Sequence, residues 1–290
     1  MPTRIQIAEP DIVRSIEKLE KRVFSRTDLD QLMAANRLDW RLAQSMSSKA
    51  FIDYLLQNTE LTEAHLKFPN RKDTRYLWGA TTPFEVALSL RPSCYLTHYS
   101  AMFLHDLTEQ LPKTIYVNQE QPKKGHGDTE LVQERIDNAF RNNVRVSNEI
   151  ATYGDFKIRV LHGMNTGELG VIEQAGEAGE MLRVTNLERT LIDIAVRPVY
   201  SGGISEVLNA YKKAAESVSI NKLTALLKKL NYTYPYHQVI GFYLERSGAY
   251  KESAIHLLQQ FPMEFDFYLE HKMGNKEFSP RWRLYYPKGF

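Results

Sequence analysis

Apolar residues return at helical spacing three times in the first sixty positions. Ile12, Ile16 and Leu19 mark a first helix over 10–21. Leu29, Leu32 and Met33 form the stripe of a second, which Ser25 or Thr27 can cap. Phe51, Tyr54 and Leu55, with Ala50, face inward from a third, which Ser47 or Ser48 can cap. After Asn58 the pattern changes to alternation, with Leu61, Ala64, Leu66 and Phe68 set among polar residues. Pro69 and Asn70 make a turn, and 75–78 reads as the returning strand. Three helices followed by a two-stranded hairpin is the order of a winged helix, a variant of the helix-turn-helix.

From 81 onward the pattern is mixed. Helices are expected over 83–90, from Ser93 or Thr97 to about 107, and over 131–140, with a buried strand at 114–118. The stretch 119–129, rich in Pro, Gly and charge, reads as a mobile polar loop. Strands follow at 144–146, 156–161 and 169–172. Beyond 203 come four helical patterns, 204–216, 220–230, 235–247 and 252–260, and two closing strands at 265–269 and 282–286. The fold class is α+β: a winged helix-turn-helix domain over 1–80, then a larger mixed α/β domain over 81–290 whose C-terminal portion, 204–290, is helical and a candidate sub-lobe.

Composition narrows the function classes. The 290 residues are 43% hydrophobic and 25% charged, ordinary for a globular protein. No apolar run reaches membrane length, and the first ten residues lack the apolar segment of a secretory signal. A single cysteine, Cys94, forbids an internal disulfide and suits a cytoplasmic protein, with the thiol expected as a buried small residue. A net charge of +2 does not announce nucleic-acid binding, so any such activity must come from local patches.

Two patches qualify. The hairpin tip carries Lys67, Arg71, Lys72 and Arg75 against Asp73, and such a wing can lie along DNA phosphates. The third helix opens on Ser47, Ser48 and Lys49, with Arg41 and Gln44 just ahead, groups able to bond phosphates and base edges in a major groove. Asp53 counts against deep phosphate contact on its side of that helix. Lys212, Lys213, Lys222, Lys228, Lys229 and Lys251 recur later and read as solvated helix faces.

The best-delimited helix lies at 187–197. Thr185 can cap it with Glu188 reaching back, Leu187, Leu191, Ile194 and Ala195 share one face, and Pro198 with Gly202 and Gly203 ends it. Arg189 and Asp193 stand one turn apart and can pair. The run Glu188, Arg189, Thr190, Leu191, Ile192 and Asp193, followed by Arg197, Pro198, Tyr200, Gly202 and Gly203, resembles the signature of the AbiEi family. A segment from Tyr95 through His98, Ser100, Ala101 and His105 to Thr108, followed by Lys113–Asn118, is similar to the same family. These are antitoxins and transcription regulators of bacterial abortive-infection, type IV toxin–antitoxin systems. The likeness spans roughly 10–203 and fades beyond it. It implies a winged helix binding double-stranded DNA upstream of its own operon, and a C-terminal domain that counteracts a nucleotidyltransferase-like toxin without requiring a stable complex. Glu188, Arg189, Asp193 and Arg197 are then mainly structural.

Catalytic signals are weak. The eight histidines form no metal spacing, and His98 and His105, seven apart, suggest packing or helix-end contacts. There is no phosphate-loop or dinucleotide glycine pattern. Asp266, Glu270 and Lys272 contain the acid-x-lysine element of a Mg²⁺-dependent restriction-like nuclease, but the first acid of such a site belongs on a separate strand well upstream, and alternation makes these three an ordinary outer face. The expectation is therefore a non-enzymatic DNA-binding antitoxin without cofactor or metal. Its alternatives are a stand-alone winged-helix transcription factor with a sensing domain and, less favoured, the nuclease.

Overall fold

The computed structural model describes residues 2–123 and 130–290, so the second half of the expected polar loop lies outside the described residues. The chain forms two compact units, Met1–Pro92 with Ile150–Ile158, and Ser93–Glu149 with Arg159–Phe290.

The first unit opens with α1 (Arg4–Glu17), six residues earlier than expected, because Ile5 and Ala8 extend the Ile12/Ile16 stripe backwards in steps of three and four. Leu19 falls past its end and is exposed. A short β1 (Val23–Phe24) precedes α2 (Arg26–Asn36). Ser25 caps α2 reciprocally: its hydroxyl accepts from Asp28 N at 3.1 Å while Asp28 accepts from Ser25 N at 2.6 Å. Ser47 caps α3 (Ser48–Asn58), whose buried face is Phe51, Ile52 and Leu55, while Ala50 faces solvent. β2 (Leu61–Lys67) and β3 (Lys72–Trp78) then form an antiparallel hairpin in register from Leu61↔Trp78 to Lys67↔Lys72. Ile12, Ile16, Phe24, Leu29, Phe51, Leu55, Leu61 and Trp78 make one core cluster.

The hairpin is not the isolated pair expected. β1 flanks β3, pairing Val23 with Leu77. α4 (Pro83–Leu88), with Thr82 and Glu85 as a capping box, also belongs to this unit, which therefore extends to Pro92 and not to 80.

The second unit begins with β4 (Tyr95–Leu96), α5 (Tyr99–Leu104), β5 (Thr114–Asn118) and α6 (Gln133–Arg141). No strand forms at 144–146. The chain then returns to the first unit as β6 (Ile150–Tyr153), which pairs antiparallel with β2 at Lys67↔Thr152. β7 (Phe156–Leu161) begins in the first unit and ends in the second. β8 (Val171–Ala175) and β9 (Met181–Thr185) form an antiparallel hairpin, and β9 runs parallel to β4 through Leu96↔Val184.

Helices complete the unit: α7 (Leu187–Val196), α8 (Ile204–Lys213), α9 (Ile220–Leu230), α10 (Tyr236–Ser247) and α11 (Glu252–Gln259). A three-stranded sheet of β10 (Phe267–Tyr268), β11 (Lys276–Ser279) and β12 (Leu284–Pro287) closes the chain in the order β10–β12–β11. These elements share one core cluster with α5, α6 and α7, so 204–290 is no separate lobe. α7 is its centre. Seven consecutive residues, Arg189 to Ala195, are buried, where one apolar face was expected.

Candidate functional site

In the first unit the candidate surface is built around the connection between α2 and α3. Trp40 and Leu42 anchor this loop in the core, and the Trp40 ring stacks on Phe51 with centroids 6.0 Å apart. Arg37 fixes its course by donating to the carbonyls of Ala43 at 2.6 Å and Met46 at 2.9 Å. Loop carbonyls held by a guanidinium leave no periodic trace, so the sequence does not single out Arg37. Arg41, in a left-handed turn conformation (φ +49°), and Gln44 are then presented to solvent. At the start of α3 Lys49 is exposed and Ser48 half-buried, while the Ser47 hydroxyl is engaged as a cap, accepting from Ala50 N at 3.2 Å.

On the hairpin, Lys67, Arg71 and Lys72 are exposed. The Arg71 guanidinium lies 3.8 Å from the Phe68 ring centroid and 3.2 Å from Asp73. Arg75 departs from expectation. Its half-buried guanidinium donates to the carbonyls of Ser89 at 3.1 Å and Leu90 at 3.4 Å, at the C-terminus of α4. Those orphan carbonyls at the negative end of a helix attract a cation, so Arg75 ties hairpin to helix.

In the second unit the chemistry gathers around α7. Asn186, not Thr185, is the cap, accepting from Arg189 N at 2.8 Å. Thr185 is instead the last residue of β9, its hydroxyl 2.8 Å from that of Thr190. Glu188 reaches forward rather than back and accepts from Ser219 N at 3.1 Å, at the start of α9. Arg189 and Asp193 pair at 2.7 Å as the spacing anticipated, but in the interior, with side chains 6% and 8% exposed. Burial works to depress the Arg189 guanidinium and the Asp193 carboxylate outweighs it, holding it above its ordinary value. Arg189 also donates to Leu169 O at 2.6 Å. The second oxygen of Asp193 accepts from the Thr97 hydroxyl at 3.1 Å.

Thr97 in turn lies 3.1 Å from Nδ1 of His98, a buried residue whose backbone (φ +51°, ψ −128°) is rarely adopted with a side chain. Burial pushes the His98 imidazole down to about 4, leaving it neutral near pH 7. His98 and His105 thus sit at the two ends of α5, with Nε2 of His105 2.6 Å from Thr185 O. Beside His98 opens a cleft of about 1240 Å³, whose walls include Tyr95, His98, Arg197, Tyr200 and Tyr232. Of the four signature residues, Glu188, Arg189 and Asp193 are consumed in internal contacts. The side chain of Arg197 makes no hydrogen bond or ion pair among the described residues and faces both this cleft and a neighbouring one of about 550 Å³.

That smaller cavity is lined by Glu270 and Lys272, whereas Asp266 pairs with Arg283 at 2.8 Å and is not part of its wall. The strand expected over 265–269 is paired with β12 only at Phe267 and Tyr268, so Asp266, Glu270 and Lys272 do not share the outer face of one strand. Among the described residues, no group of three or more His, Cys, Asp or Glu side chains is placed to hold a metal. Cys94 is buried, and no helix there is long and apolar enough to cross a membrane. Of the later lysines, Lys213 reaches Glu109 at 3.0 Å and Lys228 lies over the Phe261 ring, at the C-terminal ends of α8 and α9, where the helix dipole favours cations.

No family model matches the chain, and no curated protein does either. Among solved structures, it is similar to the Rv2827c protein from Mycobacterium tuberculosis, with a TM-score of 0.57 and 16% sequence identity, over 98% of this chain and 92% of that one. At that identity the likeness is one of fold.

Proposed function

We propose that this chain is a DNA-binding antitoxin: its first unit, a winged helix, represses its own operon, and its second unit counteracts a nucleotidyltransferase-like toxin. What carries the DNA half is the order α1–β1–α2–α3–β2–β3 with β1 against β3, together with exposed Lys67, Arg71 and Lys72 at the hairpin tip. Helix α3 would enter a major groove with Arg41, Gln44, Ser48 and Lys49, while the hairpin cations lie along phosphates and set register. Ser47 acts as the cap that fixes where α3 starts, and Arg75 is left out of the contact set. The toxin half rests on the signature at Glu188–Arg197 and on the segment around His98.

The test is fluorescence anisotropy of the purified protein on the duplex upstream of its gene and on a scrambled duplex, across a salt series. Preference for the upstream duplex is expected. A Lys67/Arg71/Lys72→Ala variant should bind less tightly, with a salt slope shallower by up to about three, since each neutralised phosphate contributes about 0.9. Full affinity and an unchanged slope in that variant would remove the hairpin from the interface. The toxin half is tested by co-expressing the chain with the nucleotidyltransferase-like product of the adjacent gene, where restored growth is expected.

A further inference from the structure

The cleft of the second unit holds groups that the antitoxin reading does not use. The hydrogen-bond chain fixes the state of His98. Asp193, ion-paired to Arg189, is a carboxylate and only accepts, so the Thr97 hydroxyl spends its single proton on Asp193 Oδ2. The contact between Thr97 and His98 then requires Nδ1 of His98 to be the donor. In the neutral ring Nε2 is therefore a bare acceptor. It is buried and has no hydrogen-bond partner among the described residues, and His98, 8% exposed, lines the cleft.

Two further features characterise that wall. Arg145 and Arg197 line it and have no hydrogen-bond or ion-pair partner among the described residues, in contrast to Arg189. Five tyrosines line it: Tyr95, Tyr200 and Tyr236 are buried in the wall, whereas Tyr232 and Tyr234, on the short connection between α9 and α10, are half-buried and offer ring surface. A volume of about 1240 Å³ lies above the usual range of roughly 300–1,000 Å³ for small-molecule sites, leaving room for a ligand of several parts. Guanidinium groups free to fork onto an anion, aromatic faces and one buried acceptor each select a different part of a ligand.

The geometry points to a binding site for a free nucleoside monophosphate in the second unit, its phosphate on Arg197 and Arg145, its base among the tyrosine rings, and a base N–H or sugar O–H donated to Nε2 of His98. Arg189 and Asp193 also line the cleft but are engaged with each other. They position His98 through Thr97, which gives the buried ion pair a role besides packing.

Isothermal titration of the full chain with AMP, GMP, CMP, UMP and inorganic phosphate tests the assignment. At least one nucleotide should bind at least about tenfold more tightly than phosphate, because ring and acceptor contacts add to the anion contact. Arg197→Ala should weaken that binding about tenfold with an unchanged melting temperature, since the Arg197 side chain makes no hydrogen bond or ion pair among the described residues. Arg145→Ala, at an exposed position, is the second variant and should weaken it in the same direction. The assignment is overturned if no nucleotide binds at millimolar concentration, if phosphate binds as tightly as every nucleotide, or if both variants bind as the parent does. A single-stranded RNA oligomer binding tenfold tighter than any mononucleotide would overturn it in favour of a polynucleotide end.

Discussion

Asp193→Ala isolates the energetics of the second unit. Asp193 Oδ1 accepts from Arg189 Nε at 2.7 Å and Oδ2 from the Thr97 hydroxyl at 3.1 Å, with both members of the ion pair under one-tenth exposed. Truncation leaves a buried guanidinium without its counter-charge, which costs about 3–5 kcal/mol. The retained bond from Arg189 to Leu169 O argues for the lower half of that range, and the lost Thr97 bond adds about 1 kcal/mol. The expected loss is thus roughly 4 kcal/mol, a fall in melting temperature of about 8–16 °C for a unit of this size. Trp282, fully buried in the second unit, reports it by fluorescence during urea unfolding in a Trp40→Phe/Trp78→Phe background, since those two tryptophans belong to the first unit. Arg189→Met/Asp193→Leu should recover much of the loss, because it removes both charges together. A loss below about 1 kcal/mol for Asp193→Ala, or a double variant worse than the sum of the singles, would refute the account of α7 as a helix centred on a buried pair.

Three further outcomes follow from the same geometry. Arg75→Ala should destabilise the first unit by about 1–3 kcal/mol through lost bonds to the end of α4, while leaving the salt slope of DNA binding unchanged; a shallower slope by anisotropy would return Arg75 to the phosphate contacts. Because the folded-state value of His98 is about 4 against an ordinary 6.5, the unfolded chain takes up the proton first, so its contribution is fully present above about pH 6.5 and is lost as pH falls toward 4. The amplitude is on the order of 3 kcal/mol, and a His98→Gln variant should show a flatter stability–pH curve across that window in urea titrations; an equally steep curve would assign the effect elsewhere. Gly241→Ala on α10 would place a methyl carbon 2.0 Å from the Trp282 ring, so despite alanine's better helix propensity it should cost more than about 2 kcal/mol by calorimetry, and a stabilised protein would mean that Trp282 repacks freely.

Much of the secondary structure was legible locally. β5, β7 and α9 fall on the residues that the pattern marks, because an apolar run bounded by turn residues, or a stripe at helical spacing, records burial directly in the order of side chains. Caps and turns were legible for the same reason where the partner lies three residues away, as at Ser25 and Ser47, and so was the Arg189–Asp193 spacing.

Features that depend on distant partners were not. β1, β6 and β11 are short and exist because another strand offers its edge, and β6 joins β2 from some eighty residues away. That return moved part of 81–290 into the first unit. Charge alone left Arg71, Lys72 and Arg75 equivalent, and only the position of α4's carbonyls separates the third from the others. The signature at α7 was visible as a helix with pairable charges. Its burial on every side, the chain from Arg189 through Asp193 and Thr97 to His98, and the placement of Arg197 in a tyrosine-lined cleft come from packing elements nearly a hundred residues apart. Periodicity registers what one segment buries, whereas a site is made by what several segments leave exposed to one another.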